Sequence, residues 1–225
     1  MKLSVIVPTF NEEAAIAETL RRAVEALAPH ELIVADGCSA DRTAVEARPY
    51  ATVLALPMTR GAALNHAAAI ATGDVLLFLH ADTMLPMGAA TAIAAALRDA
   101  GVVGGAFRLR FDHPGRLAAL LARHVNLRSS LSNTFFGDQA LFVRREVFAA
   151  AGGFKDWSVM EDMEILDRLR RHGRLALLDE EVVTSARRHR RNGWVKTIAT
   201  VWIMTLLHSL GVSGHAMTRW YKPER

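Results

Sequence analysis

Leu3-Ser4-Val5-Ile6-Val7-Pro8-Thr9-Phe10-Asn11-Glu12-Glu13 is the stretch whose reading decides the fold. Its first six residues are a short, β-branched apolar run of the kind shown by a parallel strand buried on both faces. Asn11-Glu12-Glu13 then opens a helical pattern through Ile16, Leu20, Val24 and Leu27, which Pro29 ends. Working outward, Glu31-Leu32-Ile33-Val34-Ala35-Asp36 reads as a second strand, and Gly37-Cys38-Ser39-Ala40-Asp41 as a polar turn capping a short helix. Thr52 to Leu56 is a weaker third strand, Gly61 to Thr72 is helical, and Gly73-Asp74 turns into Val75-Leu76-Leu77-Phe78-Leu79, a buried strand ending at His80-Ala81-Asp82. A helix follows from Pro86 to about Arg98. Strands that alternate with helices in this way predict an α/β, doubly wound, mostly parallel sheet, because parallel neighbours need crossover connections.

The second half is less regular. Val102 to Phe111 reads as a strand interrupted at Gly104-Gly105, Arg116 to Leu127 as a helix and Gln139 to Arg144 as another strand. Met160 to Arg171 is helical, with Met160, Met163, Ile165, Leu166 and Leu169 as its apolar set. Neither an internal repeat nor a low-complexity linker marks a boundary. The expectation is one domain over 1–225, made of a first half (1–105), a second half (106–192) and a C-terminal helical segment (193–225).

With 225 residues, 51% of them hydrophobic and 22% charged, the chain has enough apolar material for a large core. That excludes disordered and disulfide-scaffold classes. Cys38 is the only cysteine, so no intrachain disulfide forms and a reducing compartment fits. The apolar run after Met1-Lys2 is too short for a signal peptide, which predicts a cytoplasmic start. Residues 1–105 carry four more acids than bases and residues 106–225 eight more bases than acids. Such a basic half suits nucleic acid, an anionic membrane surface or a phosphorylated substrate, and charge alone does not choose.

In open α/β sheets ligands bind beyond the carboxyl ends of the strands. Three such ends are polar here: Thr9 with Asn11-Glu12, Asp36 with Gly37 and Ser39, and His80 with Asp82. One carboxylate at such a place often only caps a helix; three in succession point to a ligand. Pro8-Thr9-Phe10-Asn11 follows the first strand where nucleotide-binding folds often place G-x-G-x-x-G or G-x-x-x-x-G-K-[ST], which argues against a dehydrogenase or P-loop enzyme. Without such a loop, a diphosphate can be neutralised by a divalent cation held by one or two carboxylates, and Asp82 suits that task.

The segments Ser4 to Glu13, Val34 to Thr43 and Gly73 to Asp82 resemble family 2 glycosyltransferases. Gly137-Asp138-Gln139-Ala140-Leu141-Phe142-Val143-Arg144-Arg145, Gly152-Gly153-Phe154 and Met160-Glu161-Asp162-Met163-Glu164-Ile165 are similar to the acceptor half of that family. A closer resemblance, to a bacterial subgroup labelled for arsenosugar biosynthesis and for neighbouring radical-SAM and selenium genes, is carried by Leu79 to Thr83, Asn126-Leu127-Arg128-Ser129 and Val183 to Arg188.

The resemblance implies a GT-A fold with an acceptor-side C-terminal elaboration, a nucleotide-sugar donor (UDP-linked), Mg or Mn as cofactor, and inverting transfer to a hydroxyl-bearing acceptor. It implies that Pro8, Thr9 and Glu12 line the nucleoside pocket, that Asp36 binds the base, and that Arg60 lies near the nucleotide. Asp82 is then the metal-binding member of the family's Asp-x-Asp motif, in which His80 replaces the first aspartate as a hydrogen-bonding group. Thr59-Arg60-Gly61 departs from the subgroup's usual Gly-Arg-Ala. Asp162 is implied as the general base with Glu161 as runner-up, and Gly137, Asp138, Gln139, Arg187 and Arg188 belong to the acceptor or diphosphate side. The competing reading is a noncatalytic nucleotide-sugar-binding or scaffolding subunit.

Arg187-Arg188-His189-Arg190-Arg191 reads either as a solvated run or as a functional patch, for lipid headgroups or as a diphosphate clamp. Trp194 to Val212 is apolar but interrupted by Lys196 and His208, so it is marginal for a spanning helix and better suited to packing on the domain, a partner or a membrane interface. The expected partners are a nucleotide sugar and a small-molecule or lipid acceptor, with no nucleic acid. Peripheral contact with the inner face of a membrane, or a homo-oligomer formed through the C-terminal helix, is the further expectation.

Overall fold

In a computed structural model that describes residues 1–27 and 31–218, alternate residues of β1 (Leu3–Thr9) serve two cores. Leu3, Val5 and Val7 join one buried cluster and Ile6 the other, so this strand lies at the centre of a sheet covered on both faces. Its run is mostly apolar because neither face meets water, and its polar residues Ser4 and Thr9 are themselves buried. On the first face pack α1 (Ile16–Leu27) and α4 (Ala89–Ala96); on the second pack α3 (Arg60–Ile70), α6 (Arg145–Ala150) and α7 (Glu161–Leu169). The buried stripe of α1 runs through Ile16, Leu20, Ala23 and Leu27, whereas Val24 is exposed. Pro29, read as the end of that helix, lies outside the described residues.

The remaining elements are β2 (Glu31–Asp36), α2 (Thr43–Ala47), β3 (Thr52–Ala55), β4 (Val75–Phe78), β5 (Thr83–Met84), β6 (Val102–Phe111), α5 (Arg116–Ser132), β7 (Leu141–Arg144), β8 (Arg174–Thr184), α8 (Arg187–Asn192), α9 (Trp194–Ser209) and α10 (Gly214–Met217). Among the described residues the strands form one sheet in the order β3-β2-β1-β4-β7-β6-β8-β5. The first four are mutually parallel, in register Val5 to Leu32 and Val5 to Leu77. β7 then inserts antiparallel between β4 and β6, and β5 pairs antiparallel with the end of β8.

Several boundaries differ from the sequence reading. The helix expected from Asn11 starts at Ile16, because Asn11 takes a positive φ of 54° and the Asn11 to Glu13 backbone donates to Ser39, Thr43 and Asp41 side chains. The expected strand from Gln139 begins at Leu141, since Gly137–Gln139 forms a 3₁₀ turn. Gly104-Gly105 does not break β6. A Cβ at Gly105 would stand 2.1 Å from Ala176 O, so glycine allows β8 to approach β6 closely.

β8 itself has no counterpart in the sequence reading. Its apolar pattern is broken by Asp179-Glu180-Glu181, and the structure accommodates those acids at a bulge: Phe107 pairs with Leu178 but Arg108 with Glu181. Asp179 is left outward, paired with Arg108 at 3.2 Å.

Candidate active site

The carboxyl ends of β1, β2 and β4 deliver Thr9, Asp36 and the His80-Ala81-Asp82 segment to one rim of the sheet. Two cavities open there. The first, of about 630 Å³, is lined by Pro8, Thr9, Glu12, Arg60, His80 and Asp82, together with Phe10, Gly37, Met58 and Ser158. The second, of about 590 Å³, is lined by Gly137, Asp138, Glu161, Asp162, Arg187 and Arg188 among others, and shares Phe10, Glu12, Arg60, His80, Asp82 and Ser158 with the first. Two substrate-sized spaces therefore meet at His80 and Asp82.

Asp36 is 2% exposed, and its carboxylate is engaged within the strand-end turn. Thr9 Oγ1 donates to Asp36 Oδ1 at 2.9 Å and Ser39 N to Oδ2 at 2.9 Å. Its neighbours Ala35 and Gly37 line the first cavity. Ser39, Asp41 and Thr43 in turn hold the Asn11 to Glu13 backbone, which sets where Glu12 stands.

Arg60 begins α3, whose Thr59 caps the helix by accepting from Ala62 N at 3.2 Å. Gly61 belongs there for a packing reason. Its N–H donates to Trp157 O at 2.9 Å, and a Cβ would fall 2.0 Å from Lys155 O, so the 155–157 loop leaves no room for the alanine of the related pattern. Arg60 Nε pairs with Glu161 at 3.0 Å, and its Nη2 contacts His80 Nε2. Arginine has only donors, so His80 Nε2 must accept and the ring is neutral. Burial, then the charges of Arg60 and Arg188, hold the His80 pKa well below its ordinary value. This nitrogen is committed to Arg60.

Asp82 follows the turn after β4, and its backbone carbonyl accepts from Ser185 N at 3.1 Å. Burial and the nearby Glu12 carboxylate push Asp82 up to about 6, against the pull of Arg187. Arg187 reaches both acids, Glu12 at 2.5 Å and Asp82 at 3.6 Å. Two carboxylates at a recessed site with one guanidinium between them form a donor set that suits a hard divalent cation. Among the described residues no cluster of three His, Cys, Asp or Glu side chains could hold such an ion alone. Protein ligation here would come from Asp82, with Glu12 beside it, and phosphate oxygens would supply the rest.

On the second cavity, α7 starts at Glu161 after Met160, which has a φ of 62°. The two adjacent acids diverge. Glu161 is 1% exposed and turned to Arg60, and burial raises its pKa despite that partner. Asp162 is partly exposed; its Oδ2 accepts from Gly137 N at 2.6 Å and its Oδ1 from Met163 N at 2.8 Å. Gly137 is hemmed in by the site: a Cβ would lie 2.5 Å from His80 Nε2 and 3.1 Å from both Arg60 Nη2 and Asp162 Oδ2. Gln139 is fully buried and structural in its contacts, donating to Phe107 O at 3.1 Å and accepting from Phe136 N and Ser129 Oγ. Asp138 has a buried Oδ1 with no hydrogen-bond partner among the described residues. Burial, then Asp162, push its carboxyl up to about 7, with Arg128 opposing.

Arg128, Phe136, Phe10 and Ser158 were not singled out as site residues by sequence reasoning. The Arg128 guanidinium stacks 3.9 Å above the Phe136 ring, beside Asp138. A signal existed for Arg128: Asn126, Arg128 and Ser129 crowd polar groups onto a helix whose buried positions are otherwise Ala118, Ala122 and Val125. Phe10 and Ser158 carry no such signal, because only the fold brings their loops together.

An α/β sheet with a carboxylate-rich rim between two cavities defines an α/β protein whose polar cleft lies at the carboxyl ends of its strands. Residues 4–153 match the family described as Glycosyl transferase family 2, and the chain belongs to it. A curated relative, the probable glycosyltransferase YdaM of Bacillus subtilis, is 27% identical over 203 residues, covering 75% of this chain and 46% of YdaM. The chain thus spans about half the length of that relative. Among solved structures, S. aureus TarS in complex with UDP-GlcNAc superposes with a TM-score of 0.64 at 21% identity, over 82% of this chain and 58% of that one. The mannosyltransferase PcManGT from Pyrobaculum calidifontis, in complex with GDP-Man and Mn2+, gives 0.63 at 24% identity, over 81% and 56%. The fold is therefore that of GT-A glycosyltransferases.

Proposed function

We propose that this chain transfers a sugar from a nucleotide-sugar donor, UDP-linked, to a hydroxyl-bearing acceptor with inversion at the anomeric carbon. The observation that carries this reading is the pair of cavities meeting at His80 and Asp82, one bounded by the strand-end loops and the other by Asp162. In it, Pro8, Thr9, Glu12 and the Asp36 turn serve the nucleoside, while Arg60 and Arg188 face the diphosphate. A divalent cation, Mg or Mn, held by Asp82 would neutralise the departing diphosphate. PcManGT with its GDP-Man and Mn2+ lends support by analogy.

Single displacement requires a base that removes the acceptor proton as oxygen attacks. Asp162 suits that role better than Glu161, whose carboxylate is buried against Arg60. Two backbone N–H groups fix the Asp162 carboxylate and leave lone pairs for the acceptor. Within the family we assign the chain to the arsenosugar-labelled subgroup. Two of its signature segments adjoin here, where Thr83 meets Thr184 at 2.9 Å.

The test compares transfer rate with donor affinity. Asp162→Asn should lose about 10²–10⁴-fold in rate while binding UDP normally, and product anomer analysis by NMR should show inversion. Near-normal transfer by Asp162→Asn with collapse in Glu161→Gln would move the base to Glu161, and donor binding without turnover by the unaltered chain would favour the noncatalytic reading.

A further inference from the structure

Helices α5 and α9 each turn an apolar stripe to water. On α5, Leu120, Leu127 and Leu131 are 63%, 55% and 79% exposed; on α9, Val195, Trp202 and Leu206 are 81%, 57% and 59% exposed. Both triplets share the spacing i, i+7, i+11, which puts each on one helix face. The opposite face of α5 buries Ala118, Ala122 and Val125 against Leu109 and Phe111 of β6. The inner side of α9 carries Thr197, Val201 and Met204 to the second cavity. The stripes adjoin, since His124 of α5 stacks on Trp202 of α9 with ring centroids 5.2 Å apart. A contiguous apolar surface on two neighbouring helices is more than scattered surface leucines, and such patches mark interaction sites.

The charge around this surface selects its occupant. Residues 113–137 and 182–218 contain no Asp or Glu, yet they hold Arg116, Arg123 and Lys196 beside the stripes and the Arg187 to Arg191 run next to them. Arg116, Arg123, Lys196, Arg190 and Arg191 are all exposed. A second copy docked face to face would set these cations against their own kind. None of the helices among the described residues is long and apolar enough to cross a membrane. From this combination we infer that the α5–α9 face seats on an anionic lipid bilayer, its leucines and Trp202 at the acyl boundary and its basic rim among the headgroups. The inference stands on this surface alone and does not require the proposed sugar transfer.

Co-sedimentation of the full chain with phosphatidylcholine vesicles, with and without phosphatidylglycerol, tests it. Partition should require phosphatidylglycerol, fall as salt is raised, and be accompanied by a blue shift of tryptophan emission. Trp202→Glu with Leu206→Glu should lower partition by about tenfold or more, as should the milder pair Trp202→Ser and Leu206→Ser if the first fails to fold. Arg116→Gln, Arg123→Gln and Lys196→Gln together should cost about fivefold each. UDP affinity and the unfolding midpoint, measured on every variant, separate loss of the seat from loss of the fold. Equal partition on both vesicle types, or partition unchanged in the folded Glu or Ser variants, overturns the inference. So does a dimer in light scattering that these variants dissociate while vesicle binding is absent; that result gives the face to a second copy.

Discussion

Gly137 and Asp138 are adjacent, yet they respond to opposite physical constraints. At Gly137 the constraint is space, because its absent Cβ would press on His80, Arg60 and Asp162 together. Gly137→Ala should therefore leave the sheet intact, at a stability cost of roughly 1–3 kcal/mol, while breaking the hydrogen bond that orients Asp162. A steady-state transfer assay beside circular dichroism should show a large loss of rate in a folded protein. At Asp138 the constraint is charge. Its carboxyl is raised from 3.8 to about 7 by burial, so folding takes up a proton between those values. The associated stability is fully present below about pH 4 and is lost as pH rises through about 7. Urea denaturation should find the protein weaker at pH 8 than at pH 5. Asp138→Asn should flatten that slope and gain up to about 4 kcal/mol at pH 8, less whatever Arg128 loses with its partner. A slope unchanged by the substitution would mean that Asp138 keeps its charge in the folded protein.

Between elements, the contact with the most leverage is that of the α3 N-terminus with the 155–157 loop. Gly61 and Trp157 join there, and Arg60 next to them ties α3 to Glu161 of α7. Gly61→Ala must push Lys155 away and should destabilise by roughly 1–3 kcal/mol, with weaker UDP binding in calorimetry because Arg60 moves with its helix. Normal stability and affinity would show that the loop yields without cost. The elements that sequence reading identified without the structure were those with uninterrupted patterns. β4 is fully apolar, β1 and β2 carry apolar runs at Val5 to Val7 and Leu32 to Ala35, and α7 repeats its apolar residues at helical spacing. β8 escaped because Asp179-Glu180-Glu181 interrupts it, and only the bulge opposite Phe107 and Arg108 makes those acids compatible with a strand. The late start of α1 escaped for a related reason: the groups that hold Asn11 to Glu13 come from residues 39 to 43, which are distant in sequence.

For the whole molecule, donor and cation should act as one ligand. With UDP and Mn2+ at about a hundred times the dissociation constant, the folded state should gain about 2.7 kcal/mol, read as a higher unfolding temperature. Chelator or Asp82→Asn should remove most of that gain if, as proposed, the recessed Asp82 carboxylate holds the cation. An equal gain with chelator present, or in the Asp82 variant, would place the cation elsewhere or make it dispensable.

The local sequence by itself determined which segments become strands and helices in the first half, and that polar groups stand at the ends of β1, β2 and β4, because apolar periodicity and turn residues act over a few positions. It also contained the two acids at the start of α7. How those acids divide was decided only by tertiary structure: both border the second cavity, but Arg60, from a helix a hundred residues earlier, draws the buried Glu161 inward, and Gly137 N holds the partly exposed Asp162. The antiparallel insertion of β7, the close approach at Gly61 and the joining of α5 to α9 through His124 and Trp202 belong to the same class. Each depends on which distant surfaces meet, and that is set by the packing of the whole chain.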